Sequence, residues 1–217
     1  GVDGVVIACV NFYDPQVVEL VNGDVPVVTI DHVFNNRMAI LSDNVVGTKA
    51  LVQQAWACGH RRIAFIHGEK TAVTENRLAG FYQACEELGL KVTEEYVRCG
   101  VYHDVDRCAE ETRALLALPQ RPTCIIFPDD FSALGGYNAL TEAGLSIPED
   151  ISVMGYDGIY LSRVVKPPLV TYQQNTKSLG RLAADKLIEL IEHPRVTLPE
   201  QIRVSGKLLD GGSVRIL

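Results

Sequence analysis

The chain has 217 residues, 47% of them hydrophobic and 22% charged, a balance that allows one or two packed domains and excludes a disordered polymer. A formal net charge of −7 is the wrong sign for a surface that grips phosphate, because such surfaces draw their affinity from clustered Lys and Arg. No apolar run reaches the roughly 18 residues a spanning helix needs, and Gly1 to Val10 has neither a basic leader nor a cleavage site, so the expectation is a soluble, cytoplasmic chain.

In chain order, Val5 to Val10 and Val25 to Ile30 read as strands, Asn44 to Cys58 as a helix, Ile63 to Ile66 as a strand and Arg77 to Leu88 as a helix. There follow a helix over Asp104 to Leu118, a strand over Cys124 to Phe127, a helix over Asp130 to Ala143 and a strand over Ile151 to Met154. Pro167-Pro168 precedes an extended stretch from Val170 to Gln174, and Thr176 to Ile191 carries apolar residues at helical spacing. The strands are continuous apolar runs, which implies cover on both faces, and their alternation with helices predicts an α/β fold with parallel sheets. Gly59, Gly89 and Gly144 stand where a helix ends in a left-handed turn. Six cysteines, Cys9, Cys58, Cys85, Cys99, Cys108 and Cys124, show no CxxC pair and read as free thiols that pack as small hydrophobes.

Several segments, taken together, resemble the LacI/GalR family of bacterial transcription regulators. They are Gly1-Val2-Asp3-Gly4-Val5-Val6, Ser42-Asp43-Asn44 with Gly47, Gly59-His60-Arg61-Arg62-Ile63-Ala64-Phe65-Ile66, Asn76-Arg77-Leu78-Ala79-Gly80-Phe81 and Arg121-Pro122-Thr123. Asp129-Asp130 with Ala133-Leu134-Gly135, Ile147-Pro148-Glu149-Asp150-Ile151-Ser152-Val153 running into Gly155-Tyr156-Asp157, Pro167-Pro168-Leu169, and Leu208-Leu209 with Gly212-Ser213-Val214 continue the match in the same order. The resemblance implies two doubly wound parallel-sheet subdomains of the periplasmic-binding-protein-like (type I) kind, closing around a small effector. It places residues 1–42 with 174–197 in the N-terminal subdomain and residues 43–173 with 198–217, including a C-terminal strand near Gln201 to Leu209, in the C-terminal one. The crossovers fall near Asp43, Gln174 and Leu198. It also implies that the N-terminal subdomain is incomplete and that a DNA-binding headpiece is absent from this sequence. Gly211 departs from the family, which commonly has Arg there.

Ligands of open α/β sheets bind beyond the carboxyl ends of the strands. Arg77, Asp129, Asp130 and Asp157 follow such strands, and the resemblance places the effector among the same positions, with Asp43 as another candidate. Carboxylates accept from hydroxyl groups and a guanidinium donates to ring or hydroxyl oxygens, which suits a sugar; Phe34, Phe127, Tyr160 and Phe12 are candidates for the aromatic face that packs on it. A purine-like effector stays open. Asp43-Asn44 reads equally as a helix cap, and Asp130 as the cap of the helix that follows it, which leaves Asp129 and Asp157 as the ligand contacts.

The small, apolar face of the helix from Asp130 to Ala143, with Leu134 and Tyr137, either packs on its own sheet or, as the resemblance implies, joins two subunits in a homodimer. No GxSxG, HExxH, GxxxxGK[ST] or GxGxxG motif occurs, and no metal or cofactor is expected. The reading is a binding protein, not an enzyme: the effector-binding and dimerisation core of a ligand-responsive regulator that meets operator DNA only through a headpiece. A periplasmic sugar receptor of a transporter is the alternative.

Overall fold

In the computed structural model, which describes residues 1–8, 12–34, 37–194 and 198–217, the chain divides into two units, Gly1–Asp43 with Asn175–Ser205 and Asn44–Gln174 with Gly206–Leu217. Cys9 and the last residues of the strand expected over Val5 to Val10 lie outside the described residues. The other five cysteines are free thiols.

The first unit is built on a four-stranded parallel sheet in the order β1 (Val5–Ile7), β2 (Val27–Ile30), β3 (Met38–Ser42), β9 (Gln201–Val204). Helix α1 (Pro15–Asn22) starts from an Asp14 side chain that accepts from the Gln16 N–H, with proline at its first turn. Helix α7 (Thr176–Glu192) starts from Asn175 in the same way and lays Leu179 and Ala183 on Val28, Met38, Ile40 and Val204.

The second unit holds a six-stranded sheet in the order β10 (Lys207–Leu209), β8 (Val170–Gln173), β7 (Ser152–Asp157), β6 (Cys124–Ile126), β4 (Ile63–His67), β5 (Val97–Cys99), parallel except for β10. Alternate strand residues point to opposite faces. Phe65, Ile126 and Met154 pack under α2 (Asn44–Ala57) and α3 (Ala72–Glu87), while Ile66, Ile125 and Val153 pack under α4 (Val105–Leu116) and α5 (Ala133–Glu142). A short helix, α6 (Leu161–Val164), follows β7. Chain order in the sheet reverses between β4 and β6, and that reversal opens a crevice at the strands' carboxyl ends. Gly59, Gly89 and Gly144 do adopt positive φ (95°, 65° and 68°).

One expectation is corrected. The run from Gln201 to Leu209 is two strands in two sheets: β9 runs parallel to β3 in the first unit, and only β10 joins β8 in the second, so the last crossover falls at Ser205-Gly206 and not near Leu198. A Cβ at Gly206 would overlap the Gln173 carbonyl oxygen, so the change of sheet is made where the chain carries no side chain.

The small residues of α5 serve the unit's own packing. A Cβ on Gly135 would overlap the Val105 carbonyl oxygen of the facing helix, and one on Gly136 the Phe127 ring. Gly135→Ala is therefore expected to lower stability by roughly 1–3 kcal/mol through overpacking. Gly180→Ala, in an open stretch of α7 with nothing within 4 Å, is expected to be neutral or stabilising by up to about 1 kcal/mol. Urea midpoints at unchanged m-value measure both.

Candidate functional site

Arg77 is the centre of the carboxyl-end face of the second sheet. It stands on α3, whose first turn is held by Thr71 accepting from the Thr74 N–H, and it is 4% exposed. A guanidinium can be buried only when its donors are engaged. Here Nε donates to Asn44 Oδ1 at 2.9 Å, Nη1 to the Pro128 carbonyl at 2.6 Å, and Nη2 lies 3.6 Å from Asp157 Oδ1. The flat of the guanidinium lies 3.6 Å from the centre of the Tyr156 ring, with the Tyr102 ring at 5.6 Å.

Asp157 ends β7 with φ of 100°, a backbone conformation rare for a non-glycine residue and one that clusters at functional sites. Gln174 Nε2 donates to its Oδ1 at 2.6 Å, and about a fifth of its side chain remains exposed. Asp157 is thus an acceptor oriented by Arg77 and Gln174 yet partly open to solvent.

The two other aspartates of this end do different work from the one expected. Asp129 is 1% exposed and its oxygens are occupied: Oδ1 accepts from the Ser132 N–H (2.7 Å), and Oδ2 from the Ser132 hydroxyl (2.8 Å) and the His103 N–H (3.0 Å). It caps the turn into α5 and pins the β5–α4 loop, so the cap role expected of Asp130 belongs to Asp129. Asp130 turns the other way, its Oδ1 accepting from the Thr171 hydroxyl and its Oδ2 from the Ile159 N–H at 2.8 Å. Burial pushes its carboxyl up to about 7.

Phe127 is also corrected: its ring is fully buried against Gly136 in the core beneath α4 and α5 and offers no face to a ligand. Tyr160, in the loop after β7, is 78% exposed. Leu134 is half-buried, and Tyr137 packs on the core with its hydroxyl donating to the Pro167 carbonyl at 2.7 Å.

Sequence reasoning passed over Asn44, Tyr102, His103, Phe131 and Gln174. Tyr102 and His103 follow β5, a three-residue strand with no apolar run to announce it. The Tyr102 hydroxyl meets Thr74 Oγ1 at 3.0 Å, and burial raises its phenol. His103 has φ of 58° and a largely exposed ring whose Nδ1 lies 3.5 Å from Asp129 Oδ1. Phe131, beyond β6, is 42% exposed.

In the first unit Phe34 joins an aromatic cluster after β2. Phe12 and His32 stack at 4.3 Å and 4°, and Phe34 lies 4.7 Å from His32 and 5.9 Å from Phe12. Burial lowers the His32 pKa. Asp43 follows β3 and donates its N–H to the Val204 carbonyl at 3.2 Å, while Asp31, at φ 57°, accepts from the Ser42 hydroxyl at 2.9 Å. Among the described residues no group of three or more His, Cys, Asp or Glu is placed to hold a metal, and no helix is long and apolar enough to cross a membrane.

Residues 52–214 match the periplasmic binding protein-like domain. The HTH-type transcriptional repressor PurR of Haemophilus influenzae is 35% identical over 200 residues, covering 88% of this chain and 58% of the repressor. A solved complex of the transcriptional regulator CelR with cellobiose superposes with a TM-score of 0.90 at 26% identity, over 98% of this chain and 66% of the regulator. A LacI family transcriptional regulator from Enterococcus faecium with bound ribose gives 0.87 at 26%, over 100% and 81%. This chain spans less than two thirds of the length of such repressors. With its two parallel-sheet units and the Arg77–Asp157 pair at a topological switch point, the chain belongs to the periplasmic binding protein-like family, as a core of the LacI/GalR type.

Proposed function

We propose that the chain is the effector-binding and dimerisation core of a ligand-responsive bacterial transcription regulator whose effector is a sugar. The single observation that carries this reading is Asp157: a solvent-open carboxylate at a strand end, held in a strained backbone conformation and steadied by Arg77 and Gln174. Such a group accepts from sugar hydroxyls, and its surroundings fix its direction before any ligand arrives. Cellobiose is bound in the CelR complex and ribose in the E. faecium regulator. Tyr160, three residues past Asp157 and largely exposed, is the candidate aromatic contact of the second unit, and Phe34 and Asp43 are candidates of the first unit taken by itself. The chemistry is binding and not turnover.

Operator DNA, on this reading, is met through a headpiece outside this sequence, in keeping with the net charge of −7. The regulator works in the cytoplasm as a homodimer, with the outward parts of Leu134 and Tyr137 at the subunit contact. Effector binding shifts the population of two arrangements by a coupling of typically 1–3 kcal/mol.

A thermal-shift screen of sugars, sugar phosphates and nucleobases is expected to return a sugar that raises the melting temperature; a nucleobase as the sole hit would reject the sugar class. In calorimetry with that sugar, Asp157→Asn keeps the side chain's shape and its Oδ1 acceptor but removes the charge, and is expected to weaken binding about 10- to 100-fold with little change in the unliganded melt. Unchanged affinity would remove Asp157 from the site. Asp129→Ala is expected to do the reverse: it leaves the Ser132 and His103 N–H groups without their acceptor and costs roughly 2–3 kcal/mol of stability by urea titration, with the sugar affinity of the folded fraction kept within about threefold.

A further inference from the structure

We propose that Asp130 is a proton-controlled latch on the loop Gly158–Tyr160: while it keeps its proton the buried acid favours the closed loop, and once the proton leaves, the loop opens more often, because only the open form lets water reach the charge. Asp130 is 1% exposed at the junction of three strand ends. Its own N–H donates to the Tyr156 carbonyl at 2.8 Å, its Oδ1 meets the Thr171 hydroxyl of β8, and a Cβ on Gly155 of β7 would overlap that same oxygen. These neighbours belong to the middle of the sheet and cannot yield. The remaining cover is the loop, tied to Oδ2 through the Ile159 N–H. It is thin, since Ile159 is 42% and Tyr160 78% exposed. It also begins at two consecutive residues at positive φ, Asp157 at 100° and Gly158 at 67°, so the thinnest part of the cover is the segment that carries Tyr160.

Burial makes ionisation in the closed state costly, by more than the Thr171 and Ile159 hydrogen bonds, which favour the charged form, offset, and the charges that face Asp130 add to that cost. Asp129 on its own loop and Asp157 at the end of β7 are both acidic, and each raises its pKa. From α5 the Tyr137 phenol faces it, and from β8 only the neutral Thr171. Arg77 approaches Asp157, and His103 lies against Asp129. Among the described residues no cation stands within ion-pairing distance of Asp130. Its carboxyl therefore titrates at about 7 when covered, whereas an uncovered carboxyl takes the ordinary value near 4.

The sign follows from linkage. The closed form binds the proton more tightly, so opening releases it. The preference for closure is complete below about pH 4, falls about tenfold per pH unit between about 4 and 7, and levels off above 7, where both forms are ionised. For the sugar reading proposed above, on which this consequence rests, effector contacts at Asp157 and Tyr160 then respond to pH. The latch itself does not depend on that reading.

The test uses the whole chain without ligand. Hydrogen exchange of the Ile159 amide, corrected for the intrinsic dependence of free peptides, is measured by NMR from pH 5 to 8.5 alongside the Asp130 carboxyl ¹³C shift. The expected result is a protection factor that falls about tenfold per unit up to about pH 7 and then levels at the midpoint of the carboxyl titration, with a flat profile in Asp130→Asn. A flat profile in the parent chain, or the same slope in Asp130→Asn, overturns the proposal. Should that variant fail to fold, the ¹³C titration decides alone: a midpoint below about pH 5 overturns the latch, and one near 7 that coincides with the levelling of Ile159 protection supports it.

Discussion

A buried guanidinium tolerates no idle donor, and the arrangement of the second unit's functional face follows from that demand. Arg77 needs an acceptor from the start of α2, a carbonyl from the end of β6, a carboxylate from the end of β7 and an aromatic plane beneath it, and Asn44, Pro128, Asp157 and Tyr156 supply them. Three separate elements are thereby registered on one side chain of a fourth, α3. The same contacts that stabilise the fold fix the direction of Asp157, whose carboxylate stays partly in water. Arg77 is for this reason a positioning group first, and replacing it would disturb packing and site together.

Three aspartates within one sheet end show how far environment decides role. Asp129 spends its lone pairs on backbone and hydroxyl donors and becomes an internal strut. Asp130 is covered, and burial makes its proton hard to remove. Asp157 keeps water on one side and an arginine on the other. Chemically identical groups thus become a cap, an acid whose pKa is pushed up to about 7 and a partly exposed acceptor, by burial and neighbours alone.

Much of the fold was legible because its signals are local. Continuous apolar runs from Ile63, Cys124 and Ile151, helices between them, and glycines at 59, 89 and 144 that only a left-handed turn would ask for, specify a parallel α/β chain. Elements with short or mixed patterns escaped: β3 and β5, the eight residues of α1 and the four of α6. The site was read less well, for a geometric reason. Facing alternates with every residue of a strand, so one step of register separates a ligand contact from a core residue. Phe127, one residue past β6, falls on the core side, and the cap expected of Asp130 is made by Asp129, a difference that adjacency alone could not show. The split of Gln201 to Leu209 between two sheets was hidden because both halves are equally apolar and only the pairing partners differ.

The reversed direction of β10 gives the C-terminal segment a protective office. It lies antiparallel along β8, pairing Lys207 with Gln173 and Leu209 with Thr171, and a few residues on, Ser213 takes the Val170 N–H and gives its hydroxyl to the Val153 carbonyl. Without this segment β8 would present a row of vacant amides and carbonyls beside Val170 and Tyr172, an adhesive margin for any stray extended polypeptide. A three-residue strand that begins on lysine ends the sheet instead, so the final dozen residues act as a bumper against uncontrolled self-association.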